Sequence, residues 1–130
     1  MEIIVAAYCY KKKGENHRMV LVTSSTGRWI IPKGQVDEDL TKKEVALSEA
    51  WEEAGVKGVI SGKSKDFLID RGGLELWKIY PVKIISMAEE WPEQRLRTRE
   101  LLSPADAASK IDNIDLAKAI VKLAKKYQSN

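Results

Sequence analysis

One cysteine, one histidine and one phenylalanine among 130 residues set the first limits on this chain. Cys9 has no second cysteine to join, so no internal disulfide holds the fold. Its place in the apolar run Ile3–Tyr10 reads as a small core side chain rather than a nucleophile. No stretch approaches the ~18 apolar residues of a membrane span, and no signal-peptide pattern opens the chain. Repeats, linkers and low-complexity segments are also missing. The composition, 44% hydrophobic and 32% charged, suits a globular domain with one real core and is too apolar for disorder. The expectation is a single cytoplasmic domain over residues 1–130, with no membrane partner.

The formal charge of +3 hides an uneven distribution. Between Gln35 and Gly55 stand seven acids (Asp37, Glu38, Asp39, Glu44, Glu49, Glu52 and Glu53) against Lys42 and Lys43, a balance of −5 that leaves +8 for the remainder. An acidic segment inside a basic protein suits a site that holds metal cations and, through them, an anionic substrate. A solvated acidic helix face would give the same count, so spacing has to decide.

Ile3–Tyr10 and Met19–Thr23, rich in Val and Ile, predict two strands, with the polar stretch Lys11–Arg18 between them as a loop. Trp29, Ile30 and Ile31 form a third short β-type run, stopped by Pro32 and Gly34. Asp39 or Thr41 caps a helix running to about Ala54, with Glu44 as a capping-box partner for Thr41. Gly55 sits where a helix C-terminal glycine belongs. Val56–Ile60 and Phe67–Asp70 predict strands with a turn over Gly62–Lys65. Arg71, Gly72 and Gly73 then mark a hairpin before the long run Leu74–Met87. Ala88–Arg99 shows no clean period and predicts a loop. Ser103 and Pro104 open a short helix to about Ile111, and Ile114–Tyr127 predicts a last helix with lysines on its outer side. The fold class is α/β (α+β), a mixed sheet with one helix inserted after the third strand and helices at the end.

Set about 100° apart around a helix axis, Ala46, Leu47, Ala50, Trp51 and Ala54 share the core arc. Glu49, Glu52 and Glu53 fall on the opposite arc at spacings of three and four. Such neighbours repel by about a few tenths of a kcal/mol per pair, and the last turn of a helix already disfavours negative charge. Three carboxylates that each harm the helix call for a compensating cation. Mg²⁺ takes oxygen ligands, typically one or two carboxylates with waters and substrate phosphates.

From Gly34 to Gly55 the segment resembles the Nudix box: a glycine, five residues, a glutamate, seven residues, then Arg-Glu-aliphatic-x-Glu-Glu-x-Gly-aliphatic. Gly34, Glu49, Ala50, Glu52, Glu53, Gly55 and Val56 fall in register. Leu40 stands where the first glutamate belongs, and Ser48 where the arginine belongs. Trp29 before the Pro32-Lys33-Gly34 run, the stretch through Gly58, and Glu90-Trp91 with Arg97-Thr98-Arg99-Glu100 are similar to the branch acting on diphosphoinositol and diadenosine polyphosphates. In that branch a tryptophan usually follows the Arg-x-Arg-Glu run, whereas Leu101 follows here.

The resemblance implies the Nudix fold, a mixed sheet sandwiched between helices, and cleavage of a diphosphate linkage in a phosphorylated small molecule. It implies Glu49, Glu52 and Glu53 as catalytic residues and ligands of Mg²⁺, or Mn²⁺ in its place, helped by the carbonyl near Gly34. Lys33, Arg97 and Arg99 are favoured for substrate phosphates, with Arg18 as a further candidate. The general base stays open between a metal-bound glutamate and the loop acids Glu89, Glu90 and Glu93. Trp29 and Trp91 stay open between base stacking and packing, and His17, in a polar loop, receives no role. Ser48 cannot supply the charged fork of a guanidinium, so weakened or altered catalysis is expected. Two other readings stand beside this one: an RNA 5′ pyrophosphohydrolase, against which the absence of aromatics among the basic residues counts, and a catalytically weak nucleotide sensor. A nucleic-acid partner is not expected, and the chain is read as a monomer or homodimer.

Overall fold

The computed structural model describes residues 1–128. Its elements are β1 (Glu2–Lys13), β2 (Asn16–Thr23), β3 (Trp29–Ile30), β4 (Lys33–Gln35), α1 (Lys42–Ala54), β5 (Val56–Ile60), β6 (Lys65–Asp70), β7 (Leu74–Met87), β8 (Arg99–Leu102), α2 (Pro104–Lys110) and α3 (Ile114–Gln128). The eight strands form one mixed sheet in which β3, β2, β1, β7 and β5 lie side by side. β1 and β7 run parallel at its centre, from Glu2 beside Glu75 to Tyr10 beside Lys83. β4 pairs with β1, β6 with β7, and β8 with β2.

Alternation along β1 assigns the two faces. Tyr8 and Tyr10 project to the side where α3 lies, their rings 5.9 and 5.3 Å from that of Tyr127. Val5, one position out of phase, pairs with Gly34, whose open side meets Glu49 of α1. The sheet is thus sandwiched between α1 and α3, as the resemblance implies. Trp77, Tyr8, Met19, Leu21, Ile79 and Ile120 are among the largest fully enclosed side chains. No helix among the described residues is long and apolar enough to cross a membrane.

Local signals set the ends of α1. Thr41, in extended backbone, accepts from the Glu44 amide while the Glu44 side chain accepts from the Thr41 amide. Of the two caps the sequence allowed, Thr41 is the one used. Gly55 closes the helix in the left-handed region, φ 64°, where a Cβ would be strained. Ser103 caps α2 with Pro104 at its first position.

Three expectations change. Lys11–Arg18 is not a loop: the strands continue as a paired hairpin, Lys11 opposite Arg18 and Lys13 opposite Asn16, turning at Gly14 (φ 62°). Ladder hydrogen bonds hold such a ribbon without apolar side chains, so polarity alone misleads. β4 and β8 lie in stretches without strand periodicity, each defined by a partner distant in sequence. On α1, Trp51 is only half-buried, with the Lys57 ammonium 5.2 Å above its ring. Glu53, expected on the outer arc, is buried.

Candidate active site

α1 packs over β4, and this broadens its inward stripe to include the row Val45, Glu49 and Glu53, one turn apart. Val45 is apolar and buried; Glu53, 4% exposed, takes an inward position against its charge. Its carboxylate accepts from the Lys33 amide at 3.3 Å and lies 3.6 Å from an Arg97 guanidinium nitrogen. The Glu49 carboxyl lies close enough to push its charge equilibrium. Burial holds the Glu53 carboxyl well above the usual range, the Glu49 carboxyl adds to the rise, and Arg97 opposes it. Glu52, half-buried on the same turn, is raised by burial and by Glu49 and Glu93.

Glu49 owes its place to Gly34. A Cβ on residue 34 would fall 2.7 Å from the Glu49 carboxyl carbon. The glycine of β4 therefore opens the space the carboxylate occupies.

Arg97 arrives from the segment between β7 and β8. It donates to the Thr23 carbonyl at 2.8 Å and pairs with Glu93 at 2.9 Å while reaching Glu53. Glu93 is placed in turn by its amide, which donates to the Glu52 carbonyl at 3.0 Å. Of the three loop acids, it is the one tied to the carboxylate cluster. Trp91 donates from Nε1 to the Glu53 carbonyl at 3.0 Å and carries the Arg99 guanidinium 4.0 Å from its ring centre. Packing, not base stacking, occupies Trp91.

Lys33, Glu53 and Arg97 border a cleft of about 550 Å³ whose wall also includes Arg28, Trp29 and Arg71. Burial and the nearby Arg71 and Arg97 charges lower the Lys33 ammonium from its ordinary value, against the pull of Glu53 and Glu75. A half-buried lysine among like charges is a receptor for an anion. Arg71 is held by Glu75 through two hydrogen bonds of 2.7 and 3.0 Å. Trp29 shows part of its ring to the cleft while Lys110 lies 4.8 Å from the ring centre.

The structure brings Glu49, Glu53, Gly34, Lys33 and Arg97 together, with Glu52 and Glu93 alongside. It places two other candidates elsewhere. Arg99 donates to the Ala54 and Ala88 carbonyls at 2.8 and 2.9 Å, closing the C-terminal end of α1. Arg18 stays on the β1–β2 hairpin and donates to the adjacent His17 carbonyl. Neither lines the cleft. Arg28 and Arg71 do, although sequence offered nothing beyond their charge to single them out. His17 is buried and accepts from or donates to Tyr8 through Nε2 at 2.8 Å.

The donor set fits a divalent cation. Two neighbouring carboxyl groups, one of them buried, relieve their repulsion by binding a positive charge. Among the described residues no group of three His, Cys, Asp or Glu side chains is placed to hold a metal ion. The neighbouring pair Glu49 and Glu53, with Glu52 on the same turn, would therefore hold a cation only together with water and substrate oxygens, as Mg²⁺ does.

The NUDIX domain family profile matches residues 2–107. "Nudix hydrolase 16, mitochondrial" of Arabidopsis thaliana is 30% identical over 106 residues, covering 74% of this chain and 59% of that protein. The bovine "Diphosphoinositol polyphosphate phosphohydrolase 3-beta" is 28% identical over 106 residues, 78% of this chain and 64% of that one. The chain spans between 51% and 60% of the length of three Arabidopsis relatives. A Caenorhabditis elegans Ap4A hydrolase has the same fold at a TM-score of 0.77, 17% identity and full coverage of both chains. The NUDIX domain of Shewanella oneidensis NrtR, solved with ADP ribose, aligns at a TM-score of 0.75 and 16% identity over 98% of this chain and 88% of that one.

Proposed function

The chain belongs to the Nudix family, and from that premise we propose that it is a pyrophosphohydrolase, dependent on Mg²⁺ or Mn²⁺, that cleaves a diphosphate linkage in a polyphosphorylated small molecule of the dinucleoside polyphosphate or diphosphoinositol polyphosphate type. One relative's name and the titles of two solved structures with this fold share one chemical feature, a phosphoric anhydride: diphosphoinositol polyphosphate, Ap4A and ADP ribose. The observation that carries the reading is the buried Glu53, beside Glu49 and in contact with the Lys33 amide and the Arg97 guanidinium on the wall of the cleft.

A diphosphate resists attack because its charged oxygens repel a nucleophile. Lys33 and Arg97, with Arg28 and Arg71 on the same wall, offer cations for those oxygens, and arginine suits paired contacts to phosphate. Glu49, Glu52 and Glu53 would hold the metal, which when bound neutralises phosphate charge and acidifies a water. Proton acceptance falls to a carboxylate of this cluster or to Glu93.

Arg97 also bears on the sensor reading, which rests on Ser48 and Leu40. Ser48 leaves the box without its guanidinium, but Arg97 supplies one beside Glu53 from another segment. Leu40 is exposed outside the capped helix. Neither departure empties the carboxylate cluster, which favours turnover.

The test is phosphate release with Mg²⁺ or Mn²⁺ across nucleotides, dinucleoside polyphosphates, diphosphoinositol polyphosphates and 5′-triphosphate RNA. Turnover of a small-molecule anhydride, abolished by EDTA and by Glu53→Gln, is the expected result. Binding without turnover at every metal concentration would turn the conclusion to the sensor, and selective action on RNA to the 5′-end enzyme.

A further inference from the structure

A second hollow, of about 530 Å³, lies outside the catalytic cleft and is lined by Lys43, Ile60, Gly62, Lys63, Ser64 and Tyr80. It shares no residue with the cleft. Lys43 stands in the first turn of α1 and Glu53 in the last, ten residues on, about 15 Å along the helix axis. The other walls are the β5–β6 turn and the middle of β7, whose Tyr80 faces the α1 side.

Its lining is one-sided. Lys43, Lys63, Ser64 and Tyr80 all carry donors, and no carboxylate borders the space. None of these four side chains makes a hydrogen bond or ion pair among the described residues. Tyr80 is 8% exposed, so its ring is fixed by packing, yet its hydroxyl finds no protein partner. The hydroxyl is not among the buried unpartnered groups, so it reaches solvent at the rim of the hollow, where it can donate to whatever enters.

We infer that this hollow is a second anion site, which takes a phosphate-bearing small molecule independently of the catalytic cleft. Two ammonium groups and two hydroxyls match the several acceptor oxygens and double negative charge of a phosphate better than the two oxygens of a carboxylate. The space exceeds a bare phosphate, and Ile60 with the Tyr80 ring offers an apolar wall for an attached organic group.

The inference does not depend on the hydrolase reading and is tested without metal. Inorganic pyrophosphate is titrated in EDTA into ¹⁵N-labelled protein, following the amides of Gly62, Ser64 and Tyr80. The expected result is saturable shifts there, with affinity at least roughly tenfold weaker in the double variant Lys43→Gln/Lys63→Gln. Tyr80→Phe should weaken binding by roughly three- to tenfold, and Lys33→Gln, in the cleft, should leave these amides titrating as in the wild type. Both lysines are exposed, so the double variant keeps the fold and its hydrolysis with Mg²⁺. Absence of saturable shifts at Gly62–Ser64, an unchanged titration in the double variant, or loss of the shifts in Lys33→Gln would each overturn the second site. Failure of hydrolysis in the wild type would bear on the catalytic reading alone.

Discussion

Gly34→Ala should separate activity from stability, because the new methyl group meets the Glu49 side chain rather than backbone. The added Cβ would stand 2.7, 2.8 and 2.9 Å from Cδ, Oε1 and Cγ of Glu49, inside any real contact distance. Residue 34 is in a strand and not at positive φ, so alanine fits the backbone and gains a little over glycine in the unfolded-state entropy it removes. Glu49 must therefore be pushed off its present rotamer, at a cost of about 0.5–1.5 kcal/mol, and its carboxyl moves away from Glu53. Net stability should change by less than about 1 kcal/mol. Catalysis should suffer far more, since a displacement of about 1 Å in a positioned group can cost ~10²-fold in rate. The assay is phosphate release at saturating metal, paired with urea unfolding, in a cycle with Glu49→Ala. On the Glu49→Ala background the clash is gone, so Gly34→Ala should add nothing to the loss. Equal losses on both backgrounds, or wild-type activity in the single variant, would refute the steric link between Gly34 and Glu49.

Arg99→Ala removes two hydrogen bonds to the carbonyls that end α1 and leave β7. Denaturant unfolding should show a loss of about 1.5–3 kcal/mol with KM unchanged, whereas a rise in KM with intact stability would restore Arg99 to the substrate. Arg97→Lys keeps a charge but loses the fork that spans Thr23, Glu93 and Glu53. Steady-state kinetics should show kcat reduced by roughly 10–100-fold. His17 is held below its ordinary value by burial and by Lys12, so the unfolded chain binds its proton first as pH falls. The stability it confers is complete above about 6.5 and is lost as pH drops through the lower folded value. Unfolding midpoints at pH 7.5 and 5 should therefore differ less in His17→Phe than in the wild type.

What could be read from sequence was what neighbours in the chain decide. Thr41, Glu44 and Gly55 bound α1 through contacts spanning three to five residues, and the hydrophobic run Leu74–Met87 became a strand end to end. His17 shows the limit. Its flanks are polar, but the hairpin register turns its ring onto Tyr8 and Tyr10. β4 and β8 likewise have no pattern of their own and exist because β1 and β2 offer open edges.

The site follows the same division, with one consequence for its chemistry. Helical spacing placed Glu49, Glu52 and Glu53 on one side of α1, and charge repulsion argued that a cation joins them. That argument treated all three as exposed. In the fold Glu53 is buried, which makes its charged form far more costly and a compensating cation correspondingly more valuable. The guanidinium missing at Ser48 is found at Arg97, anchored by Thr23 and Glu93 and reaching the same carboxylate from a segment 44 positions later. A missing charge within a motif thus does not settle whether the site lacks it, because the energetic requirement is for a positive group near Glu53, and any element the sheet brings there can meet it.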